Sequence, residues 1–416
     1  MTSGVDEAAI RNAIAALMRD DGGRLLSGLV ANLGDFQLAQ DSLQDALESA
    51  LVHWTRNGLP TTPAAWLMQT ARRKALDRLR RDANFRAKAP QIALVEQIIR
   101  ADDNIAEDDA ISDDRLRLIF TCCHPSLDAM TSVALTLRSV AGLTTPEIAR
   151  AFIVSNDAMA QRLVRARHKI AQSKIPFEVP QPDAMAERLD AVLAVIYLIF
   201  TEGHSANDGQ LFRADLCEEA IRLAAILANL LPDQPEIEGL AALMLLHAAR
   251  TGTRLTKAGE MVSLEDQDRS GWDRERIAQG LKLVQQALAR KAVGPYQLQA
   301  SIAALHAESP TFMQTDWAQI ALLYQGLFAF RPNPVFELNR IVAISYSQGA
   351  DIAMMTLDAL AQPLAGYQPY HAVRADILSR LGDRAAACLS YQRAIGLSSS
   401  EAEKRFLQRR FRETMK

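Results

Sequence analysis

The chain has 416 residues, more than one hydrophobic core of about 250 residues can organise, so we expect several domains. Only 6% of the residues are aromatic, while alanine, leucine and charged residues recur throughout, a balance that favours helices over strands. The net charge of −3 excludes no class of partner, because basic and acidic residues lie in separate stretches. The fold class we predict is all-α.

The cysteines and the apolar runs indicate the cellular compartment in which the protein is expected. Cys122 and Cys123 are adjacent, whereas Cys217 and Cys388 are isolated, a spacing that fits no disulfide framework and suits a reducing compartment. The longest apolar run, Ala191 to Phe200, is about half of what a membrane span needs, and no signal-peptide pattern precedes it. We therefore expect a soluble, cytoplasmic protein without a membrane partner.

Helical periodicity begins near Arg11 and continues to about Arg81, interrupted by a loop rich in proline and glycine at residues 57–63. From Ala71 to Lys88 there are eight basic residues and two acidic ones. Four apolar residues at four-residue spacing should face a core: Leu67, Ala71, Ala75 and Leu79. Four charged residues should then point outward: Arg73, Asp77, Arg80 and Arg81. Trp66 fits two interpretations, a stacking surface for an unpaired base or a buried core residue.

An acidic stretch follows, with seven carboxylates between Asp102 and Asp114 and few apolar anchors. Such a composition predicts a solvated linker and a domain boundary. After it comes a second helical block, from Arg115 to Ala171.

The second block carries helix-turn-helix spacing from Leu143 to Arg167. Thr144 or Thr145 can cap a short helix, and Ser155 or Asn156 can cap the next. Five apolar residues should pack the two helices together: Ile148, Ala149, Val154, Met159 and Leu163. The opposite face would enter the DNA major groove, where glutamine and asparagine pair with base edges and arginines neutralise phosphates. An ordinary helical hairpin with a solvated basic face is the alternative.

A third block, from about Met185, shows helical patterns and a weak internal repeat. Gly349 and Gly382 end similar helical stretches 33 residues apart, which is typical of helix-turn-helix solenoids with a period near 34. The packing positions of the second copy are Ala375, Leu378, Gly382, Ala387, Tyr391 and Ala394. An unrelated helical bundle is the alternative.

Other candidate sites are weaker. Cys122, Cys123 and His124 point in different directions on a helix and lack a second ligand pair, so we predict no metal site there and expect the cysteines to pack. Glu202, His204 and Asp208 have no nucleophile or cofactor motif beside them, and a polar loop accounts for them better than catalysis. The segment from Gly259 to Asp273 is either a partner surface or an ion-paired loop.

The basic helix, the acidic linker and the helix-turn-helix, in this order, resemble the sigma-70 family, specifically its extracytoplasmic-function (ECF) members. Three segments look like the subgroup with a C-terminal tetratricopeptide-like (TPR-like) extension: residues 113–125, 264–270 and 294–300. The resemblance implies a sigma factor that directs core RNA polymerase to specific promoters and initiates transcription, regulated by its C-terminal domain. It implies no enzyme activity and no cofactor.

The resemblance also implies roles for individual residues. The motif at residues 41–47 would bind the β′ clamp of core polymerase, through Asp41, Gln44, Asp45 and Leu47. The −10 promoter element would be melted and read by Trp66, Arg72, Arg73, Asp77, Arg80 and Arg81. The −35 element would be bound by Ser155, Asn156, Asp157, Ala160, Gln161, Arg162, Arg165, Arg167 and Lys169. The further partners implied are the β flap of polymerase and a protein partner of the C-terminal domain.

The predicted domains are sigma region 2 (residues 1–92), the acidic linker (93–114), region 4 with the helix-turn-helix (115–175) and the TPR-like regulatory domain (176–416). The linker would thread toward the polymerase active-site cleft, or serve only as a spacer. Asp157, Ala160 and Ile153 depart from the residues common in the family, so the −35 sequence does not transfer. The alternative function is a one-component helix-turn-helix regulator with an effector-binding helical domain.

Overall fold

The computed structural model describes residues 7–81, 108–152, 154–173, 175–204, 214–256, 260–398 and 401–415. Over these ranges the secondary structure consists of eighteen α-helices, three short 3₁₀ turns and one isolated antiparallel bridge between Leu255 and Met261. The prediction of an all-α fold is confirmed. No helix in the described ranges combines the length and the apolar content needed to cross a bilayer.

The chain divides into two compact units, Met1–Ile199 and Phe200–Lys416. The helices that begin in the first unit are α1 (Glu7–Leu33), α2 (Phe36–Asn57), α3 (Pro63–Arg81), α4 (Asp108–Cys122), α5 (Ala129–Ser139), α6 (Thr145–Ala151), α7 (Asn156–Gln172) and α8 (Pro182–His204). Both predicted DNA-reading modules therefore lie within the first unit.

Helices α1, α2 and α3 pack against one another, and α4 packs against α1. Leu29, Trp54 and Leu67 are completely buried between them. The ends of α2 follow from local chemistry: the Asp35 carboxylate accepts a hydrogen bond from the Leu38 N–H at 3.0 Å, and Gly58 adopts a φ of +83° after the last turn. Because α2 ends at this glycine, only a short loop separates it from α3.

The second helical block contacts α1 through two glycines. Gly142 has a φ of +76°, and a Cβ atom there would lie 2.1 Å from the Met18 carbonyl oxygen. A Cβ atom on Gly23 would lie 2.8 Å from the Val140 carbonyl oxygen. Only glycine permits such an approach of two backbones. We call this contact between α1 and the turn after α5 the glycine junction.

The adjacent cysteines pack inside the second block, as predicted. Both Cys122 and Cys123 are buried, and the Cys123 Sγ lies 3.4 Å from the Thr136 hydroxyl oxygen. Burial raises the pKa of the Cys123 thiol to about 12, so it remains protonated at neutral pH. Their position is that of core residues.

In its described residues the second unit contains the end of α8 and ten further helices. They are α9 (Ala214–Leu230), α10 (Pro235–Ala248), α11 (Arg274–Ala289), α12 (Pro295–Glu308), α13 (Trp317–Phe330), α14 (Pro334–Ser347), α15 (Ala350–Leu357), α16 (Gln368–Arg380), α17 (Arg384–Leu397) and α18 (Glu401–Thr414). Successive helices pack in pairs, with α10 on α11, α13 on α14 and α16 on α17. This pairing is consistent with a stack of helical hairpins.

The turns of the predicted repeat are present. Gly349 and Gly382 have φ angles of +121° and +83° in the turns that precede α15 and α17. The apolar packing residues predicted for the second copy are all buried: Ala375, Leu378, Ala387, Tyr391 and Ala394. The burial predicted for these residues is confirmed, whereas repeat-like packing and the TPR-like assignment remain proposals.

The segment ending at Asp273 is anchored by its aromatic ring and its arginine. Trp272 is buried, so its ring belongs to no exposed surface. The Arg269 guanidinium lies 4.9 Å from the Trp272 ring centroid and donates hydrogen bonds to the carbonyl oxygens of His306 and Ser309 at 2.5 and 2.6 Å. Arg269 therefore ties the segment to the end of α12. Residues 257–259 lie outside the described ranges.

His204, at the end of α8, has an environment unsuited to acid/base chemistry. Its ring packs on Phe200 and meets the ring of His247 edge-on at 5.6 Å. Burial, with the positive charges of Arg254 and Arg250, lowers the pKa of His204 to about 3. Asp208, the third polar residue of that group, lies outside the described residues.

Candidate nucleic-acid interface

Helix α3 has one packed face and one charged face. The predicted stripe of Leu67, Ala71, Ala75 and Leu79 is buried, and the predicted outward residues are exposed: Arg73, Asp77, Arg80 and Arg81. We call these four outward residues the α3 face. Three guanidinium groups and one carboxylate give it a net positive charge, which attracts phosphates.

Arg72 differs from the other residues assigned to the −10 element. It is only 8% exposed, and burial lowers the pKa of its guanidinium. Arg72 was assigned to the −10 element by the family resemblance alone. Neighbouring helical residues differ by about 100° in direction, and the apolar stripe of α3 places only Arg73 of these two among the outward residues. The structure places Arg72 beneath the α3 face.

Trp66 lies between the two interpretations considered for it. It is half-buried, its ring stacks on the His53 ring at 5.5 Å with an angle of 21°, and it meets the buried Trp54 ring edge-on at 5.3 Å. The neighbouring rings fix the orientation of the indole, while part of it faces solvent. Such a supported ring suits stacking on a base.

The acidic residues assigned to polymerase binding are paired with α3. The Arg78 Nη1 lies 3.0 Å from the Asp41 Oδ2, and the Arg78 Nη2 lies 2.9 Å from the Asp45 Oδ2. All three side chains are about one third exposed, so each pair should contribute at most about 1 kcal/mol. Gln44 is exposed and Leu47 is half-buried. Arg78 was predicted as one of the basic residues of α3, but its two carboxylate partners were not predicted.

Helices α6 and α7, which form the predicted helix-turn-helix, have the caps that their sequence predicts. Thr144 and Glu147 form a capping box, in which the Thr144 N–H donates to the Glu147 Oε2 at 2.7 Å and the Glu147 N–H donates to the Thr144 Oγ1 at 3.4 Å. The Ser155 Oγ accepts from the Ala158 N–H at 3.1 Å and begins α7. Of the two alternatives at each helix start, Thr144 and Ser155 are the ones used.

The residues predicted to pack α6 and α7 together are buried or half-buried. Ile148, Ala149, Met159 and Leu163 are buried, and Val154 is half-buried. The outer face exposes most of the residues assigned to −35 binding: Ser155, Asn156, Asp157, Ala160, Gln161, Arg165 and Lys169. Arg162 is half-buried. Ile153 lies outside the described residues.

Arg167 reaches a different partner. Its Nη1 lies 3.3 Å from the Asp41 Oδ1, which joins a residue assigned to −35 DNA to one assigned to polymerase. Nearby, the Gln40 Nε2 donates to the Ser139 Oγ at 3.3 Å, and the Arg19 Nη2 lies 2.9 Å from the Glu147 Oε1. These contacts and the glycine junction hold the helix-turn-helix against α1 and α2.

The acidic linker lies mostly outside the described residues, which resume at Asp108. Its threading toward the polymerase cleft therefore remains an expectation. At its end the Arg117 Nη1 donates to the Asp114 Oδ1 at 3.3 Å.

Comparison with known proteins adds to this geometry. Residues 17–85 match sigma-70 region 2, a range that contains α2, α3 and most of α1. This chain carries a sigma-70 region 2 domain. The region 2 domain supports a sigma factor role in promoter recognition by RNA polymerase, and it implies interaction with core polymerase and promoter DNA.

The rest of the chain has less informative relatives. Residues 188–288 match a family of unknown function (DUF6596). An uncharacterized protein of Rhizobium meliloti (strain 1021) is 42% identical over 386 residues, which cover 92% of this chain and 91% of that protein. The two proteins belong to one family. No solved structure gives a significant match.

Proposed function

We propose that this protein is an ECF-type sigma factor that directs core RNA polymerase to specific promoters and is regulated by a fused C-terminal TPR-like domain. The observation that carries the proposal is the α3 face, which lies within the region 2 match and sits on a fully buried apolar stripe. A separately capped helix-turn-helix follows in the same chain. A one-component regulator needs only the second of these two basic modules.

The proposed roles follow the placement of the side chains. Asp41, Gln44, Asp45 and Leu47 contact the β′ clamp, the α3 face with Trp66 holds the −10 strand, and the outer face of α7 reads −35 duplex. Arg72 supports this surface from beneath. Arg167 and Asp41 bind each other, so their contacts with DNA and polymerase form either beside this ion pair or in its place.

Transcription with purified components tests the proposal. Full-length protein added to sigma-free core polymerase should yield a defined transcript from the promoter of its own gene. Core polymerase alone is the control. Specific binding to duplex DNA without any polymerase-dependent transcript would instead favour the one-component regulator.

Replacing Trp66 by alanine should weaken binding of the holoenzyme to promoter DNA that is already unpaired over the −10 element. Loss of one base stack should lower the affinity by about 5-fold to 100-fold. A Trp66→Phe variant keeps a ring and should retain much of the affinity. Equal affinity of Trp66→Ala and the parent protein for this DNA, measured by fluorescence anisotropy, would assign the ring a packing role only.

Removal of the second unit tests the regulatory role. The first part of α8 belongs with the first unit, because the Arg188 Nη2 donates to the Phe120 carbonyl oxygen at 2.7 Å. A chain that ends at Ile199 keeps this contact, whereas one that ends at residue 174 loses it. We expect the chain that ends at Ile199 to differ severalfold from the full-length protein in transcript yield. Identical transcription in vitro and in cells, with equal core binding, would show that the second unit does not regulate.

A further inference from the structure

The second unit contains a cavity of about 360 Å³ between α13, α14, α16 and α18. Sites for small organic molecules commonly have volumes of about 300 to 1,000 Å³. The segment at residues 263–265 lies at the rim of the cavity, where Glu265 is exposed. The cavity is thus large enough for a ligand of modest size.

One wall of the cavity is aromatic. The Trp317 and Tyr346 rings stack with their centroids 4.7 Å apart and an angle of 27°. The Phe312 ring meets both edge-on, at 4.9 and 5.1 Å. His306 adds a fourth ring, 5.2 Å from Trp317. Each ring is held by another, so this wall is apolar and preformed.

A second wall, next to the aromatic one, carries charge and is called the charged wall. The Asp376 carboxylate is shared between two arginines, with the Arg380 Nε 3.1 Å from Oδ2 and the Arg410 Nη2 2.9 Å from Oδ1. Within this wall two positive charges thus face the one negative charge of Asp376, while outside the lining the Arg410 Nη1 also lies 3.7 Å from the Oε2 of the exposed Glu413. A guanidinium group has five N–H donors, so both arginines keep donors for a further acceptor. Glu265 is the remaining carboxylate of the lining, and its exposure to solvent screens its charge.

The position of Arg380 is fixed independently of any ligand. Its Nη1 and Nη2 donate to the carbonyl and hydroxyl oxygens of Ser345 at 3.1 and 2.6 Å, and its guanidinium carbon lies 4.4 Å from the Tyr346 ring centroid. The charged group therefore borders the aromatic wall. A bound molecule could contact both without rearrangement of Arg380.

The other titratable groups of the lining are neutral at physiological pH. Burial raises the pKa of Tyr346 to about 12, and it also raises the pKa of Tyr391. Burial and the nearby Arg250 and Arg269 lower the pKa of His306 to about 3. In the charged wall, the two positive charges of Arg380 and Arg410 therefore exceed the single negative charge of Asp376.

We propose that this cavity binds an amphipathic organic anion, with a ring-bearing apolar body against Trp317 and Tyr346 and its anionic group at Arg380 and Arg410. The aromatic wall selects the apolar body, and the charged wall selects the anionic group. The site lies entirely in the second unit, so its occupation can be measured without polymerase or DNA. The result is therefore independent of the proposed sigma function.

Two fluorescent probes with the same ring system separate these two contributions. Anilinonaphthalene sulfonate carries an anionic group, and N-phenylnaphthylamine is its uncharged analogue. The full-length protein should bind one molecule of the sulfonate per chain, at least about tenfold more tightly than the uncharged probe. Equal affinity for both probes, or no saturable binding, would overturn the proposal.

Variants locate the probe. Ala372 lines the cavity, and Ala372→Phe should fill it and lower the affinity for the sulfonate by about tenfold or more. Ala385 is exposed on α17, so Ala385→Phe is the matched control and should bind like the parent. Arg380→Met keeps most of the side-chain stem and should abolish the preference for the sulfonate, which provides a second test should Ala372→Phe fail to fold. Parental binding by folded Ala372→Phe, or parental preference in Arg380→Met, would refute the site.

Discussion

Gly142→Ala should lower the melting temperature of the first unit by about 6 to 12 °C, corresponding to about 3 kcal/mol in a unit of this size. Two costs add at this position. The φ of +76° is unfavourable for alanine, and the new methyl group would lie 2.1 Å from the Met18 carbonyl oxygen. A backbone atom cannot move aside as a flexible side chain does, so the glycine junction must widen.

Gly34→Ala is the matched control for this prediction. Gly34 has a similar φ of +65°, but no atom lies within 4 Å of the position of its Cβ. It should lower the melting temperature by only about 3 °C, because the backbone conformation is the one cost. Calorimetry, with hydrogen exchange to assign the transition, measures both variants. Equal effects would mean that α1 does not contact the turn after α5 in solution.

Replacing Arg73, Arg80 and Arg81 together by glutamine should weaken binding of the holoenzyme to promoter DNA by about 30-fold or more at physiological salt. Each arginine that neutralises a phosphate releases a counterion, so the slope of the logarithm of affinity against the logarithm of salt concentration should fall by about three. The three side chains are exposed, so the fold should tolerate the changes.

A triple variant in the second unit controls for net charge. Arg384, Arg393 and Arg405 are exposed, and glutamine at all three removes the same total charge. This variant should retain the parental affinity and the parental salt slope. If both triple variants lost affinity equally, the effect would come from the overall charge of the chain, and the α3 face would have no specific role.

The helices and their local chemistry follow from sequence because they depend on neighbouring residues. The buried stripe from Leu67 to Leu79 follows from a four-residue period, and the caps at Thr144 and Ser155 follow from side-chain chemistry within three residues. Once the buried residues of α3 and α7 are known, the remaining residues of each helix are expected on its outer surface. Both surfaces were therefore predictable, apart from Arg162 and Arg167, which are half-buried, and Arg72, which the family resemblance assigned to this surface and which is buried.

The contacts between distant segments were not predictable in this way. Arg167 and Asp41 are 126 residues apart, and no periodicity of either helix indicates that they meet. Arg78 was identified as basic, but its pairing with Asp41 and Asp45 depends on the packing of α2 on α3. The cavity lining likewise comes from segments of the second unit that are far apart in sequence, from Ser263 to Arg410. A single chain gives no signal for such pairs, although the glycine at position 142 could have suggested a close backbone approach.

The central claim is that this chain binds core RNA polymerase through its region 2 domain. Immobilised full-length protein should retain sigma-free core polymerase, and Asp45→Arg should reduce the retained amount, whereas Glu308→Arg, an exposed charge reversal in the second unit, should not. The account predicts saturable retention of core polymerase by the parent protein. Failure of the folded parent protein to retain any core polymerase would contradict it.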